Sequence, residues 1–544
     1  MQQEILEADV LCVGGGIAGL MAAIRAGESG AKVIVAEKGN TLRSGAGGMG
    51  NDHFRCYIPE VHGDDFESIV DEVAKSQTGG LRTRSFVHRW MEKSFDIVKL
   101  WDSWGIPMRP NRKWEFSGHA FPGRPVTSLK YAGLQQKPIM TREALKRGVE
   151  ILNRVMVFDL LVDDNGITGA IGVSTRDDKV IIFRVKSVIL GTGRCMRLYL
   201  GSTPGWMFNM AHSPVTTGDG RAMAYRAGAE LINLEMPYKH AGPKYFARCG
   251  KGTWIGVVRD PEDKPIGPFV TKPDRHYGDN IVDVYHAVFE DYAKSARGPV
   301  YMDCRGISDE DYEFMKWGLE NEGNKALLNH LDEEKIDITK NNSVEFMTYE
   351  LTSRGGIRFN EESETSLKGL YAAGDEYASG ISPAAVFGWI AGDNASKYIK
   401  KAGTPEIDIT KDKIEERKEL LESIRSRRTG ATWKEANIAI QQIMYDYAGS
   451  LRSEPMLKAG LSQLRRLKEK TRNTLTACNQ HELIHCLEVL NLLDIGELVF
   501  FTAMERKESR GKHVRVDYPF TNPNLNNKVL ACKQVDGKPF IEWR

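Results

Sequence analysis

The chain has 544 residues, with 74 Lys and Arg residues against 73 Asp and Glu residues. This length is too great for a single hydrophobic core, so we expect two or three domains. The balanced charge argues against a nucleic-acid partner or binding to an anionic membrane surface. No apolar run approaches the roughly 18–20 residues of a membrane span, so we expect no direct membrane insertion.

The 8 cysteines are scattered, and none belongs to a C-x-x-C pair. This spacing argues against an iron–sulfur cluster, a haem attachment or a zinc site within the chain, so we predict no metal. Scattered thiols fit a reducing compartment better than a disulfide framework. The N-terminal MQQEILEADV lacks a basic region followed by an apolar one, so we expect no secretory signal and predict a cytoplasmic protein.

Residues 8–38 carry the first clear motif. An apolar strand over 10–13 is followed by Gly14, Gly16 and Gly19 in the G-x-G-x-x-G spacing, and then by a helix. In this motif the glycines allow a tight turn, the approach of a pyrophosphate and the packing of helix on strand. A second strand ends at Glu37, where an acid can bind ribose hydroxyls. The unit predicts dinucleotide binding; a purely structural turn is the alternative.

Two further glycine-rich stretches follow along the chain. Residues 41–54 (TLRSGAGGMGNDHF) predict backbone packed against a flat cofactor, because glycine permits close approach; a flexible surface loop is the alternative. A strand over 180–190 ends in Gly191-Thr192-Gly193. That ending indicates either a second contact with the cofactor or an ordinary strand-to-helix turn. Thr217–Gly220 then precedes an alanine-rich helix.

The rest of the chain divides by composition. Over 230–342 the alternation of strands and helices is lost, and many Tyr, His, Lys and Pro residues predict an inserted substrate or capping domain. The alternation resumes over 343–405. Residues 406–517 are rich in Lys, Glu, Arg and Leu at helical spacing and predict a bundle of long helices. Residues 518–544 predict an extended tail that ends in a small hairpin.

Later motifs carry a family resemblance. The earlier motifs are followed, in order, by Gly369–Asp375 and by Glu508-Ser509-Arg510-Gly511 with His513, Arg515, Asp517, Tyr518 and Pro519. Together they resemble the flavoprotein subunit family of succinate dehydrogenase, fumarate reductase, L-aspartate oxidase and adenylylsulfate reductase. The resemblance spans nearly the whole chain. Arg297–Asp303 and the loop RSGAGGMGN are more similar to the adenylylsulfate reductase α subunit.

The resemblance implies an α/β fold and FAD as the cofactor. We expect a Rossmann-like FAD-binding domain (1–229 and 343–405), an inserted α+β capping domain (230–342), a C-terminal helical domain (406–517) and the tail. The isoalloxazine is expected on the loop over 44–51, with Asp375 near the ribityl chain and Asp219 near the flavin ring. The cofactor-binding residues implied are Gly14, Gly16, Ile17, Ala18, Gly19, Glu37, Lys38, Arg43, Ser44, Gly45, Gly47, Gly48, Met49, Gly50, Asn51, Gly191, Thr192, Gly193, Asp219, Gly374, Asp375 and Ser382.

Several positions depart from the family pattern. Covalent members carry a histidine after an Arg-Ser pair, where this chain has Gly45, so we predict non-covalent FAD. Dicarboxylate-reducing members carry a histidine where this chain has Leu351, and their two substrate arginines are missing near 285–286 and after Asp375. Each charged hydrogen bond contributes roughly 1.5–3 kcal/mol. We therefore expect a small anionic substrate other than fumarate or succinate.

Candidate active-site residues come from the segments expected to face the flavin. They are His53, Arg55, His240, Arg354, Tyr285 and His286. His240 follows Glu235 as a family histidine follows its glutamate, and Arg354 is placed to anchor an anion. The alternatives are a surface or capping role for His53, an ordinary salt bridge for Arg354, and core packing for the pair at 285–286.

These features predict an FAD-dependent oxidoreductase that is the catalytic subunit of an electron-transfer complex. The expected partner is a ferredoxin-like iron–sulfur subunit, because this chain has no cluster motif of its own. Two alternatives stay open. One is a flavin-binding electron-transfer subunit without substrate chemistry, and the other is an oxygen-using oxidase like L-aspartate oxidase.

Overall fold

The computed structural model describes residues 1–77, 82–116, 125–201, 207–210, 212–244, 246, 253–267, 270–276, 288–340, 344–377, 380–403 and 410–544. Its strands are β1 (Gln2–Val13), β2 (Val33–Glu37), β3 (His53–Arg55), β4 (Ser128–Lys130), β5 (Glu150–Asn153), β6 (Val155–Asp163), β7 (Gly166–Ser174), β8 (Lys179–Leu190), β9 (Leu231–Ile232), β10 (Pro237–Pro243), β11 (Val257–Arg259), β12 (Val300–Asp303), β13 (Val344–Ser353), β14 (Gly356–Ile357), β15 (Leu370–Ala372), β16 (Leu451–Arg452), β17 (Val514–Arg515), β18 (Leu530–Val535) and β19 (Lys538–Trp543). Its helices are α1 (Ile17–Glu28), α2 (Pro59–His62), α3 (Phe66–Glu72), α4 (Arg84–Ser103), α5 (Gln136–Lys146), α6 (Asp219–Arg226), α7 (Val288–Lys294), α8 (Asp309–Asn321), α9 (Lys325–Glu333), α10 (Ile381–Ile399), α11 (Lys411–Ser426), α12 (Trp433–Ala448), α13 (Glu454–Thr474) and α14 (Gln480–Glu505).

The largest sheet has 7 strands in the order β5-β2-β1-β8-β7-β6, with β15 beside the carboxyl end of β8. Strands β5, β2, β1, β8 and β15 run parallel, whereas β6 and β7 are antiparallel. Val10–Val13 lie between β2 and β8 and are buried, which explains their continuous apolar character. The α/β fold expected from the first motif is confirmed.

Helices α1 and α10 pack together beside this sheet at very short distance. Small residues on both helices allow the approach: a Cβ at Gly388 would lie 2.4 Å from the Ala18 carbonyl oxygen, and a Cβ at Gly392 would lie 2.3 Å from that of Ala22. The two helices therefore hold the first glycine motif against the segment that follows β15.

A second sheet has its own apolar core. Its strand order is β10-β13-β12-β11, and Trp254, Met302, Met315, Leu319 and Phe346 are among the residues buried beside it. Strand β13 pairs with both β10 and β12, so this sheet includes residues beyond the predicted domain boundary at 342. The predicted boundaries themselves stay predictions.

The C-terminal part contains the helices α11–α14 and returns to the centre of the molecule. The hairpin β18–β19 pairs with β9 through Ala531 and Cys532, so the tail becomes part of a sheet ordered β14-β9-β18-β19. The short strands β16 and β17 pair in parallel and join the helical region to the stretch after Gly511. Within the described residues, no helix combines the length and apolar character needed to cross a membrane.

The contact between α1 and α10 makes Gly388→Ala a sharp test of the fold. Alanine in place of a mid-helix glycine favours the helix by about 1 kcal/mol. The methyl group would clash with the Ala18 backbone, however, and overpacking costs typically 1–3 kcal/mol. We expect a lower midpoint in urea unfolding followed by circular dichroism. Gly403→Ala is the control, because its Cβ would meet nothing within 4 Å. A G388A midpoint equal to or above that of the unchanged protein would show that the contact is not tight.

Candidate functional site

The carboxyl ends of β1, β2, β8 and β15 meet at one edge of the main sheet, because these strands are parallel neighbours. The segments that leave this edge are Gly14–Gly16, Glu37–Lys38, Gly191–Gly193 and Gly374–Asp375. All four were predicted to contact the cofactor. Ligands of open α/β sheets bind at this edge, so the topology brings the sequence-predicted segments together where a ligand is expected.

The first motif forms a tight junction followed by an open helix end. A Cβ at Gly19 would lie 1.8 Å from the Gly14 carbonyl oxygen, so only glycine fits there. Helix α1 begins after Gly16 with no side-chain cap and no acidic residue in its first turn. Its first N–H groups therefore remain available to an anion. Ile17 and Ala18 are buried in that turn, which leaves their backbone rather than their side chains for a ligand.

Glu37 is a buried acid that holds the glycine loop. Its carboxylate accepts hydrogen bonds from Gly15 N–H and from Gly39 N–H, both at 2.6 Å. Each carboxylate oxygen has a second lone pair, so a ribose hydroxyl can still donate to it. The arrangement fits the predicted ribose contact of Glu37.

Lys38 and Asp219 lie in a buried ion cluster. The Lys38 ammonium is 2.7 Å from Asp219 and 2.6 Å from Glu488, and Asp219 also accepts a hydrogen bond from Asn491. Burial opposes the charge on Lys38, but the two carboxylates outweigh it and raise its pKa. Since Glu488 and Asn491 belong to α14, these two residues fix the FAD-binding domain to the helical region. Their cofactor contacts stay predictions.

The loop over 43–51 is compact. Arg43 donates to the Leu134 carbonyl at 2.9 Å, Ser44 donates to the Asn40 carbonyl at 2.6 Å, and Asn51 donates to the His53 carbonyl. Gly47, Gly48 and Met49 form a short 3₁₀ turn that ends at Gly50.

Gly45 has φ +81° and ψ 171°, a conformation that side-chain-bearing residues rarely adopt. A histidine at this position would be strained. The backbone therefore supports the prediction of FAD bound without a covalent link.

The loops after β8 and β15 bind each other through a buried acid. Thr192 donates from its backbone N–H to Glu376 at 2.7 Å, and its hydroxyl donates to the same carboxylate oxygen. Burial raises the pKa of Glu376 to about 7. Beside it, Asp375 pairs with Arg194 at 3.0 Å; burial opposes its ionisation, but the guanidinium outweighs this and lowers its pKa. Ser382, at the start of α10, donates to the Arg55 carbonyl.

The structure places the catalytic candidates in different ways. His53 contacts Asp52 at 2.6 Å, and one ligand atom from each of Asp52, His53 and Glu322 lies within 4.8 Å of the others. His240 lies on β10, where its backbone is paired with Tyr349. Tyr285 and His286 lie outside the described residues, as do the side chains of His240 and Leu351. Arg354 follows β13, with its guanidinium carbon 6.0 Å from the centre of the Tyr238 ring.

Arg354 belongs to a group of positive side chains around two tyrosines. The Tyr238 ring centre is 4.2 Å from the Arg194 guanidinium carbon and 5.9 Å from the Lys512 ammonium nitrogen. The Arg82 guanidinium lies 5.0 Å from the centre of the Tyr377 ring and donates to the Tyr377 carbonyl. We call the whole set the cation cluster; its members are Arg55, Arg82, Arg194, Arg354 and Lys512.

The positive charge of the cation cluster is only partly balanced by the protein. Burial, together with the like charge of Arg354, lowers the pKa of Arg55 to about 10. Burial also lowers the pKa of Arg82 to about 10. Among the residues that the structure describes, neither of these arginines makes an ion pair, and the Nε of each lacks a hydrogen-bond partner. The cluster is therefore a pre-formed site for an anion.

Sequence reasoning found Arg55 and Arg354 but missed Arg82, Arg194, Tyr238 and Lys512. Lys512 lies inside the ESRG stretch and Arg194 directly follows Gly193, so both had a positional signal. Arg82 and Tyr238 lie outside the motifs, and only the fold brings them to the site.

Comparisons with known proteins agree with this geometry. The family model described as FAD binding domain matches residues 9–388, and the model described as Fumarate reductase flavoprotein C-term matches residues 437–544. A subunit of the CoM/CoB fumarate reductase of Methanothermobacter marburgensis is 25% identical over 98% of this chain and 99% of that protein.

Two solved structures share the fold. The adenylylsulfate reductase of Archaeoglobus fulgidus superposes with a TM-score of 0.85 at 22% identity, over 100% of this chain and 96% of that one. The quinol fumarate reductase flavoprotein of E. coli gives a TM-score of 0.82 at 21% identity, over 100% and 97%. Since the FAD-binding model alone spans residues 9–388, the chain belongs to the FAD-dependent oxidoreductase family of fumarate reductase and succinate dehydrogenase flavoproteins.

Proposed function

We propose that this protein is the catalytic flavoprotein subunit of an electron-transfer complex and acts on a small anionic substrate. The observation that carries the proposal is the cation cluster around Tyr238 and Tyr377. When bound, FAD supplies two-electron redox chemistry at its ring. The residues of this chain supply the binding and orientation of the other reactant.

Electrostatics supports an anion at the cluster. Removing a guanidinium from water is costly unless an anion or hydrogen bonds compensate, and Arg55 and Arg82 have few such partners within the described residues. An anionic substrate would complete both. The planar fork of arginine suits a carboxylate, sulfonate or phosphate held by two parallel hydrogen bonds.

A substrate other than fumarate or succinate is favoured by the departures in sequence. Leu351 stands where dicarboxylate-reducing members have a histidine, and no arginine follows Asp375 over 379–385. The cations of this chain come instead from β3, from the residue before α4 and from the ESRG stretch. The charge is thus retained with a different geometry, which favours a changed substrate.

The electron partner proposed is a separate ferredoxin-like iron–sulfur protein. The sequence has no C-x-x-C pair that could hold a cluster, and it has a single clear dinucleotide motif. Electrons would therefore have to arrive at the flavin from another protein or leave it to oxygen.

The substrate class can be tested with flavin reduced anaerobically by dithionite. We expect at least one anion from a panel of sulfonucleotides, enoates and imino acids to reoxidise it faster than buffer does. Arg354→Met and Arg55→Met should raise KM for that substrate by about 10- to 100-fold, because each removes a charged hydrogen bond. Arg109→Met is the matched control, since Arg109 lies beside Trp114 away from the cluster.

Each outcome separates one hypothesis. If no panel member reoxidises the flavin, the second candidate, an electron-transfer subunit without substrate chemistry, replaces the first. If fumarate is the fastest oxidant, the anion site stands but the exclusion of fumarate is wrong. An equal change of KM in R109M would remove the specific role of the cluster.

The electron partner can be tested by stopped-flow measurement of flavin reduction. A reduced two-cluster ferredoxin should reduce the flavin faster than NADH or NADPH at equal concentration. Reoxidation of the reduced flavin by dissolved oxygen should be slower than reoxidation by the substrate. Oxygen consumption with stoichiometric hydrogen peroxide during turnover would favour the oxidase alternative instead.

The prediction of non-covalent FAD can be tested by acid precipitation of the purified protein. We expect the flavin absorbance in the supernatant, because the glycine conformation at Gly45 leaves no side chain to form a bond. A precipitate that keeps its yellow flavin bands after washing would contradict this expectation.

A further inference from the structure

Lys137 is a buried lysine that no motif pointed to. Its side chain is 1% exposed, and its ammonium donates to the Gly15 carbonyl in the middle of the G-x-G-x-x-G loop. Within the described part of the chain it makes no ion pair. An ammonium has three donors, so this one keeps two donors and its full charge without a protein anion.

The local structure makes this positive charge more costly. Lys137 lies in the first turn of α5, where the helix dipole disfavours a cation and favours an anion. The neighbouring Gln136 donates to the Gly47 carbonyl at 2.8 Å, so the start of α5 is fixed between the glycine motif and the flavin loop. A buried cation in this position needs an anion that the protein does not itself supply.

We propose that Lys137 binds the pyrophosphate of FAD, together with the N-terminus of α1. Both groups converge on the same loop: Gly15 contacts the lysine, and Gly16 directly precedes the helix. The pyrophosphate is the anion that the G-x-G-x-x-G loop is built to receive. Lys137 therefore has two functions, holding the loop through Gly15 and completing the anion site.

The charged groups around Lys137 determine how binding depends on pH. Burial lowers the pKa of Lys137 to about 8, and the attraction of Glu37 from β2 opposes this. On its own helix, Glu143 is engaged by Lys146 and Arg147. A bound pyrophosphate stabilises the ammonium and raises its pKa, so FAD binding takes up a proton above pH 8. The affinity for FAD should be greatest below pH 8 and fall as the pH rises above it.

The proposal is tested on the deflavinated protein by measuring dissociation constants for FAD, ADP and adenosine. Lys137→Met should weaken FAD and ADP by about 10- to 100-fold and leave adenosine within about twofold, because only the first two carry a diphosphate. Lys146→Met is the control on the same helix, where the side chain is 67% exposed. It should change none of the three constants. Equal weakening of FAD and adenosine in K137M would assign Lys137 a purely structural role and overturn the proposal, as would unchanged FAD binding.

A second variant keeps the test decisive if K137M does not fold. Lys137→Arg retains the charge, and arginine stays protonated throughout the accessible pH range. Its affinity for ADP should persist at pH 9.5, where the affinity of the unchanged protein has fallen. The same decline with pH in K137R and in the unchanged protein would show that another group causes it, and the proposal would fail.

Discussion

The close contact between Gly14, Gly19 and Gly191 is the constraint on which the rest of the site depends. A Cβ at Gly14 would lie 2.6 Å from the Gly191 carbonyl oxygen, and one at Gly19 would lie 1.8 Å from the Gly14 oxygen. Because no side chain fits, the turns after β1 and β8 can touch. The helix end, the ribose acid and the loop after β15 then share one edge of the sheet, which gives a long cofactor a continuous binding surface.

Much of this edge could be predicted because its residues are local in sequence. A strand, a glycine turn and a helix are encoded within 8–38, and each residue type has a physical reason to occupy its place. The cation cluster could not be predicted in the same way. Arg82 precedes α4 and Tyr238 lies on β10, and nothing in either segment indicates that they meet. Contacts between distant segments depend on packing, which spacing rules do not describe.

Lys38 and Asp219 show a different limit of sequence reasoning. Their positions next to Glu37 and Gly220 suggested contact with the cofactor, whereas their charged groups bind each other and Glu488 of α14. Glu488 also pairs with Arg197, which is fully buried. Removing one partner of a buried pair leaves an uncompensated charge, so this cluster fixes the helical region firmly against the nucleotide edge. A residue next to a motif can therefore serve the support of the site as well as the ligand.

Two groups of buried cations in this chain lack protein anions among the described residues, and each lies where a different negative ligand is expected. Lys137 lies under the glycine loop, whereas Arg55 and Arg82 lie in the cation cluster. Segments 43–51 and 53–55 connect the two places directly, since the flavin loop leads into β3 and so to Arg55. Unpaired buried charge destabilises the ligand-free protein, and a ligand that binds only the folded state recovers that free energy. The same charges that make the empty protein less stable thus give the cofactor and the substrate their affinity, and they do so at opposite ends of one loop.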